Sequence, residues 1–450
     1  MRALAIVAFC FAPACPLLDN THRRSLSDEL HTNFGQLKLT ASDAAAGDYF
    51  GHSVAIAGNT VVAGAYTKDS YTGVVYVLRT SDGGATYDEV AKLTASDARA
   101  DANFGFSVAI DGATVVVGAP GCLTCGFSGA VYIFRTSDGG ATYPQVAKLT
   151  ASDATGNFDY FGYSVAIDGS TVVVGAKYKE AVYVFRTTDD GATYDQVAKL
   201  TAWGASSIIN EFGQSVAIDG GTVVVSEEAD AGAGYYTGAV YVFRTSDGGA
   251  TYGQVAKLTA SDGAANDRFG YSVAIDGDTI VIGAYGAGAG GAVYVFLTTD
   301  SGATYNQVAK LTAADGAVFD RFGSSVAING TTIVAGAKGD GGTGLVGDGT
   351  GSAYVFRTSD GATYDEVAKL TASDAAASDS FGSSLAIAGD TIAIGASYDD
   401  DSTGAVYVFA STSPETASTN PETGALSDAA TRAGPLLALL IVAATTVLAL

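Results

Sequence analysis

Apolar residues along this chain come in short paired runs split by a polar turn, and the pairs recur. In one full unit Ser107 to Ile110 is followed by Asp111-Gly112 and then by Thr114 to Gly118, the pattern of a β-hairpin closed by a tight turn. Two further runs complete the unit. Ala130 to Phe134 is apolar throughout, as expected of a strand covered on both faces. Gln145 to Thr150 alternates instead, with Val146 and Lys148 on one face and Ala147 and Leu149 on the other, and reads as an outer strand beside water. Phe-Gly opens each unit, at Phe50, Phe104, Phe161, Phe212, Phe269, Phe322 and Phe381, and Ser-Val-Ala-Ile or Ser-Leu-Ala-Ile follows one residue later. Successive copies begin 54 residues apart at the start of the series and 59 at its end, longer than the roughly 40–45 of a WD40 blade and near the roughly 50 of a kelch blade.

A four-stranded unit of this kind cannot bury both its faces alone, and stacking seven of them radially solves the problem. The chain is therefore predicted to be all-β, a seven-bladed β-propeller of four-stranded antiparallel blades. A linear solenoid would need capping units, and neither end looks like one. Instead the seventh unit runs from its third strand, Ala405 to Phe409, into Ala410-Ser411-Thr412 with no outer strand. The missing piece stands at the other end, where Gln36 to Asp43 matches the outer-strand segment Gln145 to Asp153. The N-terminal strand is thus expected to complete the last blade, residues 36–40 pairing with 405–409.

These residues resemble the FG-GAP repeat family, whose members include the propeller of integrin α subunits. Phe104-Gly105 with Gly118-Ala119-Pro120 matches the motif in full, and Gly64, Gly175, Gly283, Gly336 and Gly395 keep Gly-Ala without Pro. The resemblance spans about residues 36–411 and implies adhesion or recognition. Phe is expected to wedge between blades, and Gly to let backbones approach closely at the crowded centre. A second signature, Thr80 to Tyr87, is similar to the Asp-box turn of sialidase-type propellers and recurs at Thr136, Thr187, Thr245 and Thr298, with a shorter version at Thr358. Its Asp can accept bonds from nearby backbone N–H groups and its Gly supplies positive φ, so it reads as a structural staple.

Composition narrows the partners. A net charge of −24, from 47 acidic and 23 basic side chains, argues against nucleic acid and suits a solvated surface or weak cation attraction. Residues 1–15 read as a secretory signal, with apolar Ala3 to Phe11 ahead of Ala12-Pro13-Ala14, and 16–35 as a lead-in. After the ring at 36–411, residues 412–434 form a Ser/Thr/Pro-rich stalk. Residues 435–450 are uncharged; as a helix they would span about 24 Å, short of the roughly 30 Å hydrocarbon core. With small residues near Ser427 to Ala430 this tail resembles a GPI-attachment signal, a plain C-terminal membrane anchor being the other reading. An extracellular, cell-surface protein is the expectation. Cys122 and Cys125 suit a local disulfide, and Asn329-Gly330-Thr331 is an N-glycosylation sequon.

In an antiparallel meander the 1–2 and 3–4 loops share one face and the 2–3 and 4–1 loops the other. The first pair barely varies; the second ranges from Lys177-Tyr178-Lys179-Glu180 in the third unit to Lys338–Ser352 in the sixth. Variable loops on a rigid scaffold are where binding is usually placed, so the 2–3 and 4–1 loops are assigned the ligand. The fourth unit departs most from the pattern. Ser226-Glu227-Glu228 follows Val225 in place of Gly-Ala, and Trp203, the sole Trp, replaces the Ser of Thr-Ala-Ser-Asp. An aromatic platform beside Glu227, Glu228 and Asp230 would hold a sugar ring or a cation, ordinary repeat drift being the plainer account.

Family-type calcium does not transfer, because turns such as Ile275-Asp276-Gly277-Asp278 are too short to supply about six or more oxygens. Asp399, Asp400 and Asp401 in the seventh 2–3 loop, or Asp340 and Asp348 in the sixth, remain candidates for calcium in another arrangement, and no other cofactor is expected. An alternative is a secreted carbohydrate-active enzyme, glycosidase or sialidase-like, working through Glu227 and Asp230. Against it, Arg79, Arg135, Arg186, Arg244 and Arg357 recur at the entry to the 3–4 turn instead of clustering, and His22, His31 and His52 form no triad or metal set. The reading is a non-catalytic, surface-tethered propeller that binds an extracellular protein or glycan.

Overall fold

The computed structural model describes residues 34–121, 128–154, 159–203, 211–229, 235–342 and 348–411. Cys122, Cys125 and Asp230 lie outside these, as do the segments read as signal, stalk and anchor. Among the described residues no helix is long and apolar enough to cross a membrane.

Seven four-stranded antiparallel sheets form the ring. In each of the first six the strands lie side by side in chain order, as in Ser107–Asp111, Thr114–Ala119, Ala130–Arg135 and Gln145–Leu149. The second and third strands carry the core. Val115, Val116, Val117, Val131 and Ile133 have no exposed surface, which is why those runs do not alternate. The first strands of neighbouring blades touch one another all round the ring and so line its axis. The seventh sheet is completed from the start of the chain. Phe34–Leu39 pairs antiparallel with Ala405–Ser411, placing Gln36 opposite Phe409 and Leu39 opposite Val406. The expected closure is observed, and the pairing extends further, to Phe34 opposite Ser411.

Blades meet backbone to backbone. The Phe of each Phe-Gly packs its ring edge-on against the third-strand Tyr of its own blade, Phe104 on Tyr132 and Phe161 on Tyr183 at 5.5 Å. At six of the seven its N–H donates to the preceding blade, as Phe104 to Thr72 O at 3.1 Å and Phe381 to Thr350 O at 3.0 Å. The expected wedge is thus made of a ring buried in one blade and an amide held by the other. Beside it, a Cβ on Gly64 would stand 2.0 Å from the Gly105 carbonyl oxygen, and one on Gly395 would stand 2.0 Å from that of Gly51. The first-strand serine donates its hydroxyl to the same carbonyl, Ser53 to Gly105 O and Ser384 to Gly51 O, each at 2.8 Å. Ser107, Ser164, Ser272 and Ser325 repeat the bond. The junction of the fourth and fifth blades is wired differently. Ser226 stands in the glycine position and its Oγ accepts the Ser215 N–H at 2.9 Å, while Ser215 Oγ accepts the Val273 N–H at 3.1 Å.

On the constant face the 3–4 turns are stapled as expected. Thr80 Oγ1 accepts the Gly84 N–H at 2.8 Å, and Asp82 accepts the Thr86 N–H at 3.0 Å. The recurring arginines join blades here: Arg79 donates to Gly139 O, Arg186 to Gly248 O, and Arg135 to Asp190 at 2.6 Å, each in the next blade's turn.

The junction geometry separates two kinds of glycine. Gly112 has φ +52° with open space where a Cβ would go, so Gly112→Ala is expected to cost roughly 1–2 kcal/mol for its left-handed backbone. Gly64 has no left-handed backbone, but Gly64→Ala must force neighbouring blades apart, and calorimetry should show a fall in Tm several times larger; equal falls would contradict the junction account.

Candidate functional site

Along the variable face the blades carry a repeated clamp. An Asp from the 4–1 loop accepts the hydroxyl of a third-strand Tyr and pairs with an outer-strand Lys. Tyr183 donates to Asp153 at 2.6 Å with Lys199 at 2.6 Å, and Tyr132 donates to Asp97 at 2.8 Å with Lys148 on the other oxygen. Lys92, then Tyr76, hold the Asp43 carboxyl down at about 2. In the fourth blade Gly204 stands where this Asp belongs. The carboxylate is supplied instead by Glu227, fully buried at the end of the second strand, which accepts the Tyr241 hydroxyl at 2.5 Å.

Glu228 next to it is 2 % exposed and pairs with Arg268; burial pushes its carboxyl up, with Arg268 opposing. The expected surface platform is therefore corrected in part. Glu227 and Glu228 are interior groups serving Tyr241 and Arg268, which also takes Glu227 out of reach of a glycosidic bond at the surface. Trp203 does lie on the surface, 85 % exposed, its backbone N–H donating to the Gln254 side-chain oxygen at 3.0 Å.

The acids considered for calcium divide similarly. Asp399 is buried and accepts the Tyr407 hydroxyl at 2.8 Å with Lys38 at 2.7 Å; Asp340 lies 2.6 Å from Lys369 and accepts from Ser352 and Tyr354. At both positions a lysine ammonium already supplies the positive charge, so this donor set does not fit calcium. Asp400 is 3.5 Å from Lys38, while Asp401 is exposed and Asp348 half-buried. Among the described residues no group of three or more His, Cys, Asp or Glu side chains is gathered for a metal. Asn329 is exposed at the 1–2 turn of the sixth blade.

Residues that the repeat pattern does not single out converge at the axis on the variable face. They are the residue before Phe-Gly, the residue after it and the residue after Gly-Ala. His52 stacks 4.4 Å from Tyr66 and 5.0 Å from Phe106, Phe106 4.9 Å from Tyr163, and Tyr49 5.9 Å from Tyr66. This aromatic wall runs through the first three blades. Across the mouth, Lys338 lies 5.5 Å from the Tyr271 ring centre and Arg321 5.9 Å from that of Tyr285. Besides Arg321 and Lys338, the sixth and seventh blades place only serines at these positions, Ser324, Ser380, Ser383 and Ser397. All seven residues before Phe-Gly have positive φ, from 54° to 59°, yet they include Tyr49, Tyr160, Glu211, Arg268 and Arg321. The exposed aromatics agree on the face. Tyr71, Tyr178, Trp203, Tyr235, Phe319 and Tyr398 all sit on 2–3 or 4–1 loops, and among the described residues no exposed aromatic stands on the other face. The axial mouth was missed from the sequence, although one signal was there: His52, Phe106, Tyr163, Gln214, Tyr271, Ser324 and Ser383 change while their flanks do not.

A family model described as FG-GAP repeat matches residues 35–78, 87–134, 143–194, 194–243, 252–296, 305–356 and 359–409. Several of the matched units begin on an outer strand and end on the next blade's third strand, the same phase in which the ring is closed. No curated protein matches the chain in sequence.

His52 supplies a test of the mouth. Burial among its aromatic neighbours, then the charge on Lys338, lowers its imidazole from 6.5 to about 4. The folded state thus resists a proton that the unfolded chain accepts, so this contribution is complete above about 6.5 and is lost as the pH falls toward about 4. Melting curves between those pH values should fall more steeply for the parent chain than for His52→Gln, and parallel curves would contradict the assignment.

Proposed function

The chain belongs to the FG-GAP repeat family, and from that premise we propose that it is a non-catalytic recognition protein of the cell surface, binding an extracellular protein or glycan through the face of its 2–3 and 4–1 loops. The observation that carries this reading is the one-sided distribution of exposed aromatics, six on that face. Aromatic side chains are enriched where surfaces bind partners, since they offer large contact area at low entropic cost. The axial mouth supports the same face. A left-handed position costs roughly 1–2 kcal/mol for a residue with a side chain, and filling it with Tyr, Glu and Arg in five blades favours a use for those side chains. Secretion, tethering through the C-terminal segment by GPI or a plain anchor, the Cys122–Cys125 disulfide and glycosylation at Asn329 complete the proposal. It requires no cofactor.

The test is a glycan array probed with the full chain, its Tyr178→Ala/Tyr398→Ala variant and an Ala141→Glu control on the opposite face. Binding should fall about tenfold or more in the double variant, near 1.4 kcal/mol, and stay level in the control. Loss confined to the control would place recognition on the other face and overturn the reading.

A further inference from the structure

We propose that the axial mouth of the variable face is a binding site for the terminal carboxylated pyranose of an acidic glycan, a hexuronic or sialic acid, with its ring against the aromatic wall and its carboxylate between Arg321 and Lys338. This deepens the recognition reading above and rests on it.

The charge distribution is the first support. The chain carries 47 acidic against 23 basic side chains, and lysines on the ring are taken up by carboxylates: Lys38, Lys68, Lys92, Lys148, Lys177, Lys179, Lys199, Lys310 and Lys369 each lie within 4.0 Å of one. Lys338 and Arg321 have no carboxylate partner among the described residues; both rest instead on tyrosine rings at the mouth. The mouth carboxylates Glu211 and Glu228 are paired with Lys177 and Arg268. In so acidic a protein, two further cations with no carboxylate partner among the described residues therefore make a local attraction for an anion.

The second support is shape. Tyr49, Tyr66, Phe106 and Tyr163 are half-buried and in ring-to-ring contact, so they present one continuous wall that keeps access to solvent. Small serines at Ser383 and Ser397 stand at the mouth positions of the seventh blade, between the Arg321 and Lys338 side and the aromatic wall. A wall of aromatic faces beside a pair of cations matches a ring that carries a carboxylate. A bare acidic side chain would use the cations and leave the wall idle. The net charge of −24 disfavours a long polyanion lying along the surface, so entry is end-on, by the terminal residue alone.

Titration calorimetry with the full chain tests this, using trigalacturonate and sialyllactose as the acidic probes, the methyl ester of trigalacturonate as the uncharged one, and triglutamate as the peptide one. At least one acidic sugar should bind about tenfold or more tightly than the ester, and more weakly as salt rises. Arg321→Gln/Lys338→Gln should abolish that preference while keeping the parent Tm, and Phe106→Ala should weaken acid and ester alike. Equal binding of acid and ester, an unchanged preference in the charge variant, or triglutamate binding as tightly as the sugars would each overturn the inference. If the glycan array shows face-dependent binding while both acidic sugars fail here, this inference falls and the recognition reading stands.

Discussion

The structure depends on six blade junctions where a second-strand glycine meets the Phe-Gly backbone of the next blade with almost no space between them, the remaining junction carrying Ser226 in that place. At Gly64, Gly283 and Gly395 a single added carbon would come within 2.0 Å of a neighbouring carbonyl oxygen. That approach lets a serine hydroxyl reach the same oxygen, and it presses the first strands together around the axis. Valine-rich strands stacked face to face would be sticky and free to slide. The glycine contact fixes their position.

A frame fixed this tightly frees other positions to vary. The fourth blade shows how far. It has lost the Asp that clamps Tyr and Lys elsewhere, and Glu227 supplies a carboxylate to Tyr241 from a different strand. It has also lost the junction glycine; Ser226 Oγ accepts the Ser215 N–H within the blade, and Ser215 Oγ accepts the Val273 N–H from the next. Both changes keep buried polar groups partnered, which matters more than which residue provides the partner. The same frame holds Tyr, Arg and Glu in left-handed backbone at the mouth, where an isolated loop would relax.

The blades and their closure were legible in the chain because strand periodicity and a sevenfold repeat reinforce each other, and because the orphan Gln36-Leu37-Lys38-Leu39 segment has no other partner. The roles of Glu227 and Glu228 were not. A substitution at Gly204 and another at Glu227 are visible along the chain, but the Tyr241 hydroxyl that makes Glu227 a replacement comes into view only when the strands are paired. Asp340 and Asp399 read as acidic loop residues until their lysines arrive from outer strands, in the case of Lys38 from the far end of the chain. The axial mouth combines one residue from each of several blades, and no stretch of sequence contains it.

The central claim is a ring sealed by the first strand of the chain, and the most direct measurement is a cross-link across the seam. Leu37 lies opposite Val408 in the closing pair. Leu37→Cys/Val408→Cys should oxidise to an intramolecular disulfide in the full chain and raise Tm, since the bond would close a loop around nearly the whole ring. Free thiols after oxidation, or a disulfide found only between two chains, would contradict it.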